Sequence, residues 1–91
     1  MATLITADGT KKEIQPKNGK DFKLDELQKY VDGYIDIINL GNGLILVIND
    51  DGKDRYPTNK AATDIALEHG KIFSWDYIDG DVVLCKNEEV L

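Results

Sequence analysis

A chain of 91 residues, 42% hydrophobic and 31% charged, has room for one hydrophobic core but not two, and is too apolar for a disordered protein. Its net charge of −6 is uneven, because residues 1–20 hold four Lys against Asp8 and Glu13 while the rest holds seven basic and fifteen acidic groups. Such a field repels nucleic acid and anionic membrane and favours a basic partner, although modest acidity also simply keeps a small domain soluble.

The apolar run Leu44 to Ile48 is far too short to span a bilayer, and the first residues lack the basic and apolar stretches of a signal peptide. A single cysteine, Cys85, excludes an internal disulfide, so a cytosolic location is expected. From the N-terminus, Thr3 to Ala7 is rich in strand formers, Asp8-Gly9 signals a tight turn, and Lys11 to Gln15 returns as a second strand. Pro16 ends it and Asn18-Gly19 marks another turn.

A helix begins near Lys23, with Leu24, Leu27 and Val31 on one face. Phe22 and Leu27 have the spacing of a hydrophobic staple, and Glu26 stands where a capping-box carboxylate would. Lys23 at the cap itself has no acceptor to offer. Gly33 is expected to supply the left-handed stop. Tyr34 to Leu40 and Leu44 to Asn49 form a hairpin across Gly41-Asn42-Gly43.

The second of these strands, Leu44-Ile45-Leu46-Val47-Ile48, is apolar on both faces, which predicts a central strand. Helices should cover one face, and another body, such as a second subunit, the other. A turn at residues 49–53 leads through Tyr56-Pro57 to a second helix that Thr58 or Asn59 can cap and Gly70 closes. Ala62, Ile65, Ala66 and His69 share one side of it. Residues 71–77 carry no readable period, Asp79-Gly80 is a turn, Asp81 to Cys85 is a last strand, and residues 86–91 are a short acidic tail. The order β-β-α-β-β-α-β predicts a single α+β domain over 1–91 with a largely antiparallel sheet and two short helices.

The pattern formed by Pro16-Lys17-Asn18-Gly19, Phe22, Leu24, Glu26-Leu27-Gln28, Val31 and Gly33-Tyr34-Ile35 continues through Asp51-Gly52-Lys53, Pro57, Asn59, Ala62-Thr63 and Ile78-Asp79-Gly80-Asp81-Val82. It resembles a family of small domains of unknown function carried by bacteriophages and mobile elements. Lys23 departs from that family's usual Ser or Thr. The resemblance implies an accessory phage or mobile-element product acting in the bacterial host cytosol, and it brings no catalytic residues.

The chemistry-bearing residues are few. His69 is the lone histidine, in a helix's last turn, where an imidazolium complements the dipole. Cys85 lies in a Val-Val-Leu-Cys strand and reads as a small buried hydrophobe. Asp50, Asp51 and Asp54 lack the twelfth-position carboxylate of a calcium loop, and in the cluster Asp76, Asp79 and Asp81 the Asp-Gly pair is ordinary turn chemistry. No metal, no cofactor and no catalytic residue is expected. Together these six aspartates are candidates for an acidic partner face.

Arg55, Thr58, Asn59 and Lys60 surround the start of the second helix, where free N–H groups and two cations would suit a phosphate. Tyr30, Tyr34, Tyr56, Phe73, Trp75 and Tyr77 supply either an exposed interaction patch or core packing. The expected function is therefore a non-enzymatic accessory protein that binds a host protein with a basic surface. Counter-defence is the setting, for example an anti-CRISPR-like inhibitor whose acidic face occupies a channel lined with Lys and Arg. The alternative is a binder or sponge for a phosphorylated nucleotide signal at the Arg55–Lys60 corner. Neither direct nucleic-acid nor membrane binding is expected, and a homodimer is.

Overall fold

The computed structural model describes residues 2–90. The chain forms strands β1 (Ala2–Ile5) and β2 (Lys11–Ile14), helix α1 (Leu24–Val31), strands β3 (Ile35–Gly41) and β4 (Leu44–Asn49), helix α2 (Lys60–Glu68), strand β5 (Val82–Lys86) and a final 3-10 turn at Asn87–Glu89. This is the predicted order, and every strand pairing is antiparallel.

The five strands line up as β2-β1-β5-β4-β3. Two local hairpins, β1–β2 and β3–β4, are thus joined only by the last strand, through pairs such as Leu4 with Val83 and Ile45 with Cys85. Both hairpins close on residues that tolerate positive φ: Gly9 at 94° in the first, Asn42 at 55° and Gly43 at 78° in the second. The edge strands are poor templates for a further strand. β2 exposes Lys11, Lys12 and Glu13, and β3 carries a register shift between Asn39 and Gly41.

Period-two alternation along the central strands sends Ile45, Val47, Val83 and Cys85 to one face and Leu44, Leu46, Val82 and Leu84 to the other. Phe22, Leu27 and Val31 of the α1 region pack on the first set, Ala62 and Ala66 of α2 on the second. The helices therefore lie on opposite faces of the sheet, not together on one. The second cover that the doubly apolar β4 requires comes from α2 and from Ile72 and Ile78 beside it, so the argument for a second subunit loses its premise.

Helix α1 starts as half of a capping box. Glu26 Oε1 accepts from the Lys23 N–H at 3.3 Å and its Oε2 from the Lys17 N–H at 3.0 Å, tying the preceding loop to the helix. Lys23 cannot reciprocate. Leu27 is fully buried, and truncating it to Ala should cost about 2–5 kcal/mol. The helix ends one residue earlier than Gly33: Asp32 takes the left-handed conformation at φ 62°.

Gly33 is needed for a different reason. A Cβ there would stand 2.8 Å from Asn49 Nδ2, the group that donates to the Val31 and Asp32 carbonyls at 2.8 and 3.2 Å and so closes the helix. The C-terminal segment is packed. Phe22 N donates to the Glu89 carbonyl, Val90 forms a parallel bridge with Phe22, and Glu89 is buried with Oε1 on the Lys86 N–H at 2.9 Å. Leu91 lies outside the described residues.

Candidate functional site

The N-terminus of α2 is a polar junction below the surface. Asn59, and not Thr58, is the cap: its Oδ1 accepts from Ala62 N at 3.0 Å while Nδ2 donates to the Ile5 and Gly80 carbonyls at 2.9 and 2.8 Å. Thr63 extends the junction, donating through Oγ1 to the Asn59 carbonyl at 2.8 Å and accepting from Ile78 N at 2.9 Å. One asparagine thereby joins β1, α2 and the turn before β5.

The remaining residues of the expected anion corner stand outside this junction. Thr58 is exposed and bridges Asp79 through the backbone. Arg55 pairs with Asp51 at 2.5 Å and Lys60 with Asp64 at 3.0 Å, both exposed. Asn59 is fully buried with both ends of its amide in use. The corner therefore offers a phosphate two solvated cations that already have carboxylate neighbours.

The six expected acidic residues divide between two clefts and open surface. Asp81 lines a wide cleft of about 480 Å³ with Asp8, Asp32 and Tyr56. Its carboxylates are used locally: Asp81 Oδ1 accepts from Ala7 N at 2.9 Å, Asp32 from the Tyr56 hydroxyl at 3.0 Å, and Asp8 from Thr6 and Thr10 within its turn. Thr6 and the other turn bonds hold the Asp8 carboxyl below its usual range. Asp51 faces solvent beside Arg55.

Asp50, Asp76 and Asp79 come together in a second cleft of about 270 Å³, between the β3–β4 sheet edge and the loops flanking α2. Asp36, Lys53, Lys71, Ile72 and Tyr77 are also among its lining residues. The walls are tied across sequence. Asp79 Oδ2 accepts from Asp54 N at 2.7 Å, the Tyr77 hydroxyl donates to Asp54 Oδ1 at 2.6 Å, and the Lys53 ammonium pairs with Asp76 while standing 4.7 Å from the Tyr77 ring centroid. The Lys53 hydrogen bond holds the Asp76 carboxyl below its usual range, and the bond to Asp54 raises the Tyr77 phenol.

Asp79 is the exception to this pairing. The residue is 6% exposed, and its Oδ1 has no hydrogen-bond partner among the described residues.

The unreadable segment 71–77 carries the most exposed aromatics of this region. Phe73 and Trp75, 67% and 76% exposed, stack on each other with ring centroids 4.8 Å apart and planes 5° from parallel. Tyr34 is equally exposed immediately before β3, whereas Tyr30 packs edge-on against buried Phe22. His69 Nδ1 lies 2.8 Å from the Ile65 carbonyl in the last turn of α2, and Cys85 is 1% exposed, its thiol pushed up to about 11 by burial and by nearby Glu89.

Asp36 and Lys71 join the cleft although neither sits in a sequence motif. The alternation of β3, which sends Ile38 into the cleft wall, was the only signal for Asp36. Among the described residues no helix is long and apolar enough to cross a membrane, and no three His, Cys, Asp or Glu side chains are grouped to hold a metal ion.

Fold and site define a small antiparallel α+β domain that presents an acidic cleft beside stacked aromatics. Residues 1–90 match the family described as a domain of unknown function, DUF3846, and the chain belongs to that family. No curated protein and no solved structure matches it.

Proposed function

We propose that this chain is a non-enzymatic, phage- or mobile-element-borne accessory protein that binds a host protein through a basic surface on that partner, with counter-defence as its setting. The observation that carries the reading is the placement of the Phe73–Trp75 stack on the same segment, 71–79, that lines the acidic cleft. Aromatics exposed to this degree cost solvation in a free monomer, and Trp and Tyr are the residues on which protein interfaces most often concentrate their energy. Carboxylates around such an anchor steer a cationic surface toward it and reject nucleic acid and anionic lipid.

The inventory of nucleophiles and bases supports the non-enzymatic part. The His69 ring is engaged with its own helix, and the Cys85 thiol is buried and held protonated. The nucleotide-sponge alternative has no comparable support, because the basic corner shares its cations with Asp51 and Asp64.

The test is affinity capture from host extract, followed by reconstitution with the purified partner. The expected outcome is a protein with a basic face whose affinity falls steeply between low and moderate salt. A melting temperature raised by a phosphorylated nucleotide, with no salt-sensitive protein partner, would reverse the order of the two readings.

A further inference from the structure

The acidic cleft holds two cations of its own, Lys53 and Lys71, and one carboxylate oxygen without a hydrogen-bond partner among the described residues. Lys53 places its ammonium against Asp76 and over the Tyr77 ring, at 4.7 Å from its centroid. This is the environment in which a cationic side chain from another protein would be held: a carboxylate on one side and an aromatic face on the other. Beside it, Asp79 is 94% removed from solvent by its 6% exposure, uses Oδ2 on the Asp54 N–H, and leaves Oδ1 unpartnered among the described residues. Native structures rarely leave a buried polar oxygen unpaired, and such a group marks a place where a donor is expected.

Resting on the proposed binding role, we propose that this cleft is the specificity pocket of the interface. It receives one lysine or arginine side chain of the partner, and Lys53 is its intramolecular stand-in. In the free protein Lys53 screens Asp76. On docking, the partner's cation takes the place of the Lys53 ammonium between Asp76 and Tyr77 and donates toward Asp79 Oδ1. Asp36 and Asp50 line the same cleft, and with Asp76 and Asp79 they outnumber Lys53 and Lys71, so the pocket keeps a negative balance for the entering charge. Lys53 is on the surface, with 52% of its side chain exposed, so its release carries little cost.

The wide cleft at Asp8, Asp32 and Asp81 is a weaker candidate, since its carboxylates hold hydrogen bonds within the chain. A metal ion is disfavoured because the cleft's carboxylates are not grouped as ligands among the described residues.

The test is a titration of the nitrogen-15-labelled protein with N-acetylated tetra-arginine and tetra-lysine amides, followed by amide shifts and by calorimetry. Saturable shifts are expected at Lys53, Asp76, Tyr77 and Asp79. The variant Lys53→Met keeps the stem and removes the competing charge, so it should bind severalfold more tightly. Asp76→Asn should weaken binding at least fivefold, as should Asp79→Asn, which keeps an oxygen for the Asp54 N–H but turns an amide group toward the pocket. The arm with the larger shifts identifies the side chain.

Unchanged or weaker binding in Lys53→Met would overturn the stand-in role. So would shifts confined to Asp8, Asp32 and Asp81, or an Asp79→Asn protein that binds normally and is merely more stable. If Asp79→Asn does not fold, Asp76→Asn decides. A captured host protein that binds without moving these amides defeats the pocket and leaves the binding role standing. Peptide binding in the cleft with no basic host partner does the reverse.

Discussion

The two faces of the sheet treat their buried polar groups in opposite ways. On the α1 face every such group has a backbone to serve. Glu26 holds Lys17 N and Lys23 N, Asn49 closes the end of α1 and takes Asp51 N at 2.8 Å, and Glu89 holds Lys86 N. Loops and C-terminus are stapled onto that face, and its apolar cluster runs unbroken from Ala2 to Cys85. On the α2 face Asn59 does the same work for β1 and the β5 turn, but above it Asp79 is left half-paired, and Phe73 and Trp75 stand in solvent. The difference separates scaffold from surface: completed polar pairs fix the fold, and incomplete ones with exposed aromatics are what a partner can use.

The sharpest way to break this comparison is at its two asparagines. Asn59→Ala leaves the Ile5 and Gly80 carbonyls and Ala62 N–H without their partners and should cost about 3 kcal/mol or more. Asn49→Ala, which frees the carbonyls of buried Val31 and exposed Asp32, should cost about 2 kcal/mol. Urea denaturation of both would show whether the α2 face is anchored as firmly as described; a mild Asn59→Ala would mean the junction is not its anchor.

Next in size is the separation of stability from binding. Trp75→Ala should leave unfolding within about 0.5 kcal/mol and weaken partner binding by about 2 kcal/mol, roughly thirtyfold. A Trp75→Ala protein that loses stability and not binding would move the stack from recognition to scaffold.

Cys85 probes the closed face. Its thiol is held neutral to about 11 against an ordinary value of 9.0. Between those values the unfolded chain loses the proton and the folded chain keeps it, so stability is present below the lower value and falls as pH rises through the window, by roughly 1–3 kcal/mol. Cys85→Ala should lack this share of the decline, and native alkylation of Cys85 at pH 8 should proceed only as fast as unfolding. His69→Gln, at an exposed helix end, should leave binding within a few-fold.

The smallest effect is that of Lys53–Asp76. The lowered Asp76 value means its contribution is complete above the ordinary carboxylate range and is lost as pH falls through the depressed value. For a surface pair the amount is about 0.2–1 kcal/mol. It should vanish from an acid titration of stability in Lys53→Met.

Much of the fold was legible because its signals are local. Asp8-Gly9 and Asn42-Gly43 announce hairpins in a few residues, Phe22 and Leu27 show the staple, and the double apolarity of Leu44 to Ile48 correctly marks a strand covered on both faces. What covers the second face was not legible. Neither the stripe of α2 nor its connection says which side of the sheet it takes, and that choice depends on β5 entering between the hairpins. The left-handed stop fell on Asp32 because Gly33 was reserved for the close approach of Asn49, a contact 16 residues away in sequence.

The acidic residues were visible as two sequence clusters, but the structure regroups them. Asp50, Asp76 and Asp79 meet Asp36 only through the packed sheet, while Asp51 and Asp81 leave for other surfaces. Segment 71–77 has no period to read, and the orphan oxygen of Asp79 is a property of packing that composition does not encode.

The central claim is that recognition belongs to the α2 face. It is tested most directly by measuring one captured and purified host partner against three proteins: wild type, the double variant Trp75→Ala with Asp76→Asn, and Tyr34→Ala, whose exposed ring stands just before β3 outside the cleft. The account requires salt-sensitive binding by wild type, its loss by at least thirtyfold in the double variant, as expected for about 2 kcal/mol or more at a hot spot, and near-wild-type affinity in Tyr34→Ala. Full binding by the folded double variant together with loss in Tyr34→Ala would contradict it.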